Sequence, residues 1–415
     1  MDEHQVGTLT VGIDWGSTTH QVCVLDASGH RRGERAVSHT GEALAALASW
    51  LVTLGEVDPA RIHVAIEVPR GPIVESLLER GFGVWVINPK QVDRFRDRYT
   101  MAGAKDDRRD AHVLAWALRT DPQAFRLLGT ESPQVIALRE WSRLDTELGE
   151  ELRRTANRLR DLLHRFYPQV LQLCPAADEP WIWALLAVVP TPDAAQRVRR
   201  AVITRVLKAA HIRRVTAETV WTTLRTPAVV VAPGTVAAVS AHVALLLPRL
   251  VLLHTQRTAT EKHLKVLLTD VADTPGPERE HHDVTILLSL PGVGVRVAAA
   301  MLAEGAEPLR RRDYHALRAL SGLAPVTQAS GKSRTVTMRH ACQAHLRLAC
   351  YHLARNAVRR DAHAKAHYAT LRGRGHTHAR ALRGVADRHL AVLVAMLASG
   401  TLYAADRRPP VGQAA

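Results

Sequence analysis

The chain is poor in cysteine: its 415 residues hold four, Cys23, Cys174, Cys342 and Cys350, and no two form a CxxC pair. That excludes zinc ribbons and disulfide frameworks alike, and it reads as a reducing, cytosolic setting. Acid is scarce too. Forty Asp and Glu face 55 Lys and Arg, a formal net charge of +15 with a pI near 10.4, so a polyanion is the expected partner. The plain alternative is an Arg- and Ala-rich composition with no partner behind it. No apolar run is read as reaching the length of a membrane span, and the opening "MDEHQVGTLTVGID" is polar and acidic ahead of its first strand, so secretion and membrane insertion are both disfavoured. Internal repeats and long low-complexity tracts are missing as well. What is present is length, enough for two or three domains with a sizeable core each.

"TLTVGIDWGSTTHQVCVLDASGHRRGERAVSH" reads as three short strands separated by turn signals. A helix "GEALAALASWLVTL", a strand "RIHVAIEVP", a helix "GPIVESLLERG", a strand "GVWVINP" and a helix from about Asp107 follow. The order βββαβαβα implies an α/β domain whose mixed sheet is flanked by helices, the ribonuclease-H-like topology. On that topology Asp14 lies on the first strand, Glu67 near the end of the fourth, and Asp107 and Asp110 on the last helix. The stretch "KDDRRDAHVLAWALR" raises a question of charge. One of Asp106 and Asp107 suffices as a helix cap, but Asp107 and Asp110 lie three apart on one face, where like charges repel unless a cation sits between them.

From Leu138 to Phe166 apolar residues recur at threes and fours, an amphipathic helix of about 30 residues that Pro168 stops. A second run, Val236 to Leu268, contains Pro248, which is expected to kink or restart it. Together they suggest a long coiled-coil helical arm, paired within one chain or between two, or else two helices of an ordinary bundle. "DTPGPEREHHD", Asp273 to Asp283, punctuates the chain before "LLSLPGVGVRVAAAMLAE". That string is helix-hairpin-helix-like: amides at Gly292 and Gly294, with Arg296, suit a DNA phosphate, although a structural turn between packed helices has the same look. The expected domains are 1–130, 131–275 and a mainly helical 276–405, with 406–415 a disordered tail.

Four carboxylates at adjacent strand ends and on one neighbouring helix can converge at a sheet edge. Magnesium prefers such oxygen ligands, and two ions about 4 Å apart would clamp the attacking and leaving oxygens of a phosphodiester. Single acids on strands also arise as solvated turn flanks, so the residues alone leave both readings open.

"VGIDWGSTTHQVCVLD", "AIEVPRG", "INPKQVDRFR", "KDDRRDAHVLA", "LPGVGVRVAAAMLAE" and "LSGLAPVTQASGK" together resemble the DEDD transposases of the insertion-sequence one-ten family, in order and over nearly the whole chain. The resemblance implies a RuvC-like nuclease domain, a coiled-coil arm and a C-terminal transposase domain with a nucleophilic serine. It implies Asp14, Glu67, Asp107 and Asp110 as the acidic tetrad holding Mg2+ or Mn2+. The serine falls on Ser330, after Pro325 and before Gly331, with Lys332, Arg334 and Arg339 near enough in sequence to hold the phosphate. Implied partners are donor and target DNA, a guide or bridge RNA, and further copies of the chain as a dimer or tetramer, with no membrane and a cytoplasmic, nucleoid-associated location. Two departures stand out: Asp106 occupies a position that is usually uncharged, and no lysine follows Asp14 closely. Competing classes explain less. "GIDWGSTT" resembles the phosphate loop of sugar kinases and actin-like ATPases, but no second such loop follows. A DEDD exonuclease needs Asp-x-Glu where Gly16 stands, and a non-enzymatic DNA-binding protein leaves the tetrad unexplained.

Overall fold

A computed structural model describes residues 9–98, 106–129, 131–232, 234–273, 282–331 and 333–405. The chain divides into two compact units, Met1–Glu131 and Ser132–Ala415. The expected boundary after residue 275 and the expected tail at 406–415 lie outside the described residues, as does Lys332.

The first unit is built on a six-stranded mixed sheet in the order β3-β2-β1-β4-β5-β6. Its strands are β1 (Leu9–Asp14), β2 (Thr19–Asp26), β3 (Arg31–Ser38), β4 (Ile62–Ile66), β5 (Gly83–Val86) and β6 (Arg126–Leu127). β1 runs antiparallel to β2 and parallel to β4, which is parallel to β5. Helices α1 (Gly41–Gly55), α2 (Pro72–Leu78), α3 (Pro89–Asp97) and α4 (Asp107–Thr120) complete the unit. Successive strand residues face opposite sides, and the two sides are covered differently. Val11, Ile13, Val22, Val24, Val64 and Ile66 pack with Leu47 and Leu51 of α1 and Ile73 of α2. Cys23 and Leu25 pack on the other side with Ala111 and Ala115 of α4, and Ala65 with Leu114. Two elements depart from the expected order. The charged loop before Asp107 folds in part into α3, and the short β6 adds an antiparallel edge to β5.

The second unit is mainly helical. α5 (Pro133–Phe166) is capped by Ser132, which accepts from the Val135 amide. Five short helices follow, α6 (Gln169–Leu173), α7 (Pro180–Val188), α8 (Pro192–Arg197), α9 (Arg200–Ala209) and α10 (Ala217–Leu224), and then the 39-residue α11 (Thr235–Asp273). Trp141 stacks near His263, Asp145 meets Arg257, and Glu151 meets Arg249, so α5 and α11 lie antiparallel and pair within one chain. α11 continues through Pro248 without restarting. It also corrects the expectation about apolar runs: Thr235–Ala272 is long and apolar enough to span a membrane. Pro248 and Arg249 interrupt the run as read in sequence, whereas the folded helix joins its two halves, and its Val243, Leu246, Leu247 and Leu250 serve as core against α5 and α7. The remainder comprises α12 (Asp283–Ser289), α13 (Val295–Glu304), α14 (Ala306–Arg310), α15 (Tyr314–Leu320), a hairpin of β7 (Val326–Ser330) and β8 (Ser333–Thr337), α16 (Ala344–Arg360), α17 (Ala362–Gly373) and α18 (His378–Ser399). A second core joins α12, α13, α16 and α18 to Leu138 of α5 and to Leu264 and Leu268 of α11.

Candidate active site

Gly12 decides how α4 meets the sheet. A Cβ on Gly12 would lie 1.9 Å from the Ala111 carbonyl oxygen and 2.5 Å from the Ala115 nitrogen, so only glycine lets the helix sit directly on β1. The direction of α4 is fixed by its other end, where Trp116 and Arg119 lie against Gly29 in the β2–β3 turn. That turn is beside the start of β1, since Leu9 pairs with Asp26. The N-terminus of α4 therefore comes to the end of β1 that carries Asp14. Ile13 pairs with Ile66, so Asp14 closes β1 next to the end of β4, and Glu67 is the first residue past that strand. The alternation of side chains along β1 puts Asp14 on the side of Gly12, the side that α4 covers. Asp14 and Glu67 thus stand at the ends of β1 and β4, toward the end of the sheet where α4 begins with Asp107 and Asp110.

Their immediate surroundings differ. Asp106 is the helix cap, its carboxylate accepting from the Arg108 amide at 3.3 Å, and Asp107 is exposed as the first helical residue. Asp110 is 2% exposed. It is gripped by Arg96 of α3 through two hydrogen bonds, Nε to Oδ1 at 2.7 Å and the second guanidinium nitrogen to Oδ2 at 2.9 Å. Asp93 also accepts from Arg96 at 2.7 Å. Arg108 donates a hydrogen bond to Glu34 on β3, and this bond, together with the charge of Arg31, holds the Glu34 carboxyl below its ordinary range. No three of the tetrad carboxylates bring oxygens within 4.8 Å of one another; the one such group among the described residues is Cys174, Asp178 and Glu179. There Glu179 is already taken by Arg214 and the Trp181 indole.

Sequence reasoning missed two features at this edge. Arg96 stands in the quoted "INPKQVDRFR" string without a role, and because that string also holds Arg94, the sequence does not single it out as the partner of Asp110. The other is the pair His20 and His39. The Gly16 amide, two residues past Asp14, donates to His20 Nδ1 at 3.3 Å, and His20 Nε2 lies 2.8 Å from His39 Nδ1. Accepting at Nδ1 leaves the His20 proton on Nε2, which then donates to His39. Burial, followed by the nearby His39, lowers the His20 pKa and favours this neutral form.

In the second unit Ser330 ends β7 opposite Ser333 at the hairpin loop and is exposed. Gly331 in that loop has φ of +54°, a left-handed conformation that glycine adopts without strain. No side-chain base or cation contacts the Ser330 hydroxyl among the described residues. Arg334 is exposed on β8, and Arg339 reaches the Ala324 carbonyl at 3.4 Å. The helix-hairpin-helix-like element forms between α12 and α13, but its parts are engaged internally. A Cβ at Gly292 would lie 2.4 Å from the Leu353 carbonyl oxygen, so the turn is pressed on α16. Arg296 pairs with Asp145 at 2.9 Å and Glu261 at 3.1 Å. Gly294, at the start of α13, has open space beside it.

An α/β unit with acids at one sheet end, joined to a helical unit in a strongly basic chain, matches two family profiles. A DEDD transposase profile for IS110 elements covers residues 11–168, and a profile of the IS116/IS110/IS902 transposase family covers residues 284–369. A putative transposase of Sinorhizobium fredii is 54% identical over 204 residues, 49% of this chain and 57% of that relative, so the chain spans little more than half of its length. The mini-circle putative transposase for IS117 of Streptomyces coelicolor is 31% identical over 93% of both chains. An uncharacterized 43.6 kDa protein of insertion element IS110 from the same species is 28% identical over 99% of this chain and 98% of its own. The chain belongs to the IS110 family of transposases, enzymes that act on DNA. Membership of a DEDD family implies use of a divalent metal. The donors at the sheet edge fit one chemically, since carboxylate oxygens are the hard ligands that Mg2+ or Mn2+ takes.

Proposed function

We propose that this protein cuts and exchanges DNA strands at the ends of an insertion sequence. In this reading Asp14, Glu67, Asp107 and Asp110 of a ribonuclease-H-like, RuvC-like domain hold Mg2+ or Mn2+, and Ser330 is the nucleophile. What supports it is the parallel pairing of β1 with β4, whose ends lead into Asp14 and Glu67, toward the end of the sheet where α4 starts with Asp107 and Asp110; capping by Asp106 alone leaves these acids without a reason. Bound there, a divalent ion supplies Lewis-acid polarisation of a phosphodiester. Ser330 Oγ forms a bond to phosphorus as it releases its proton to water, the bond from phosphorus to the departing strand oxygen breaks, and that oxygen takes up a proton. Arg334 and Arg339 neutralise charge on the phosphoryl group, Arg339 turning from the Ala324 carbonyl to do so. The proposed assembly is a cytoplasmic, nucleoid-associated dimer or tetramer carrying a structured guide RNA. The RNA is favoured because the sequence offers no recognisable base-reading module to choose a site unaided.

Strand exchange on a plasmid carrying the element ends tests this. Asp14→Ala, Glu67→Ala, Asp107→Asn with Asp110→Asn, and Ser330→Ala are each expected to abolish it. Wild-type protein should leave a covalent adduct on a denaturing gel that Ser330→Ala lacks; an adduct mapping to Ser333 would move the nucleophile. Specific recombination by nucleic-acid-free protein would overturn the RNA guidance, and Asp106→Asn as damaging as Asp107→Asn would shift the third acid.

A further inference from the structure

Between residues 194 and 217 the chain holds seven Arg or Lys and no Asp or Glu. That short stretch carries nearly half of the formal net charge of +15 of the whole chain. A basic composition spread evenly would not concentrate charge in this way. The stretch folds around α9, which buries Ile203 and Leu207 in the same core as α7 and α10. Its cations are exposed: Arg197 and Arg199 before the helix, Arg205 and Lys208 on it, and Arg213 after it. Arg200 and Arg214 are answered by Glu218 and Glu179. The other five form no ion pair among the described residues. Arg205 and Lys208 are three apart on one helix, where like charges repel, and the arginines ahead of α9 stand at the positive end of its dipole with no side-chain cap. A solvated surface mixes its signs evenly; here acids answer Arg200 and Arg214 at the margins and leave five cations unanswered.

We propose that the stretch around α9 is a second nucleic-acid site, a clamp on the phosphate backbone of duplex DNA built from residues other than the tetrad and Ser330. α9 has 10 residues, about 15 Å of helix, and duplex DNA presents one phosphate charge in roughly every 1.7 Å of its axis, so Arg205 and Lys208 on one helix face, with the arginines that flank the helix, are within the span of several phosphates. Contacts of this kind hold DNA in register without reading its sequence. The occupant is duplex DNA because the family acts on DNA, and a regular, rigid row of phosphates matches cations fixed on and beside one short helix.

The test is binding of full-length protein to a duplex of random sequence and to an RNA hairpin with the same number of phosphates, by fluorescence anisotropy across a salt series. The variant changes Arg205, Lys208 and Arg213 to Gln. A control changes the exposed Arg310, Arg374 and Arg380 to Gln, removing the same charge elsewhere. For the first variant the slope of log affinity against log salt is expected to fall by about 0.9 for each lost contact, with duplex affinity down on the order of a hundredfold near 0.1 M salt. The control should change neither quantity by a comparable amount. Unchanged duplex binding, an equal loss in the control, or a loss confined to the hairpin would each overturn the proposal. Strand exchange measured alongside tells the two readings apart: Arg205, Lys208 and Arg213 touch no reacting atom, so their variant should regain exchange as salt is lowered, whereas loss of the proposed catalytic carboxylates leaves exchange absent at every salt concentration.

Discussion

Asp110 and Arg96 pose the sharpest question about a single side chain. A carboxylate 2% exposed is tolerated because a bidentate guanidinium answers it. Removing the arginine strands that charge, so Arg96→Ala is expected to destabilise the first unit by about 3 kcal/mol, read from urea unfolding. If a divalent ion can stand where the guanidinium stands, Mg2+ will raise the Tm of Arg96→Ala more than that of wild type. Equal shifts would make Asp110 a partner of Arg96 and nothing more. Gly12 offers a cleaner steric test. Its missing Cβ is the space occupied by the α4 backbone, so Gly12→Ala should cost at least about 1–3 kcal/mol and push Asp107 and Asp110 away from Asp14. Gly41, with nothing within 4 Å of a built Cβ, is the control, and Gly41→Ala should be neutral or slightly stabilising.

Among the elements, the hairpin that carries Ser330 is weakly held. Two strands with exposed residues from Thr327 to Thr337 have little apolar surface to bury, and an isolated hairpin is marginal in water. Ser330→Ala removes a hydroxyl with no partner among the described residues, so it should leave stability within about 0.5 kcal/mol of wild type. Lost strand exchange with unchanged melting would then separate chemistry from folding; a large drop in Tm would mean that Ser330 is structural. α11 poses the opposite case. It runs unbroken through an exposed Pro248, which removes one helical hydrogen bond and crowds the preceding turn. Pro248→Ala is expected to stabilise the second unit by up to roughly 3 kcal/mol. No gain in Tm would show that the helix is already distorted to accommodate the ring.

For the molecule as a whole, pH is the readiest probe. Burial lowers the pKa of His63, and burial with the proximity of His39 lowers that of His20. Because the folded state holds these imidazoles neutral, the unfolded chain binds more protons just below the ordinary histidine value of about 6.5. Their cost to stability is absent above that value and grows as pH falls through the lowered folded values. The first unit should therefore melt progressively earlier below about pH 6.5, and His63→Gln should flatten that decline. A melting temperature that is flat from neutral to mildly acidic pH would contradict the burial argument.

Local signals in the sequence were enough for much of the architecture. Alternating apolar residues from Leu9 to Val37 specify strands, the apolar spacing from Leu138 to Phe166 specifies a helix, and Asp106 sits where a cap is wanted, because propensity, periodicity and capping act over a few residues. The order of strands then brings the end of β1, which carries Asp14, next to the end of β4, which Glu67 follows. What only the tertiary structure decided are contacts between residues far apart in sequence. Arg96 reaches Asp110 across a loop, Arg108 reaches Glu34 from another element, and α11 keeps its helix through Pro248 while packed against α5 and α7. The glycines of the "LPGVGV" turn show the same limit: the sequence marks a tight turn, but packing against the backbone of α16 assigns Gly292 to the core and leaves Gly294 open. Pairing of buried charge and close approach of backbones depend on which surfaces meet, and no short stretch of sequence contains both surfaces.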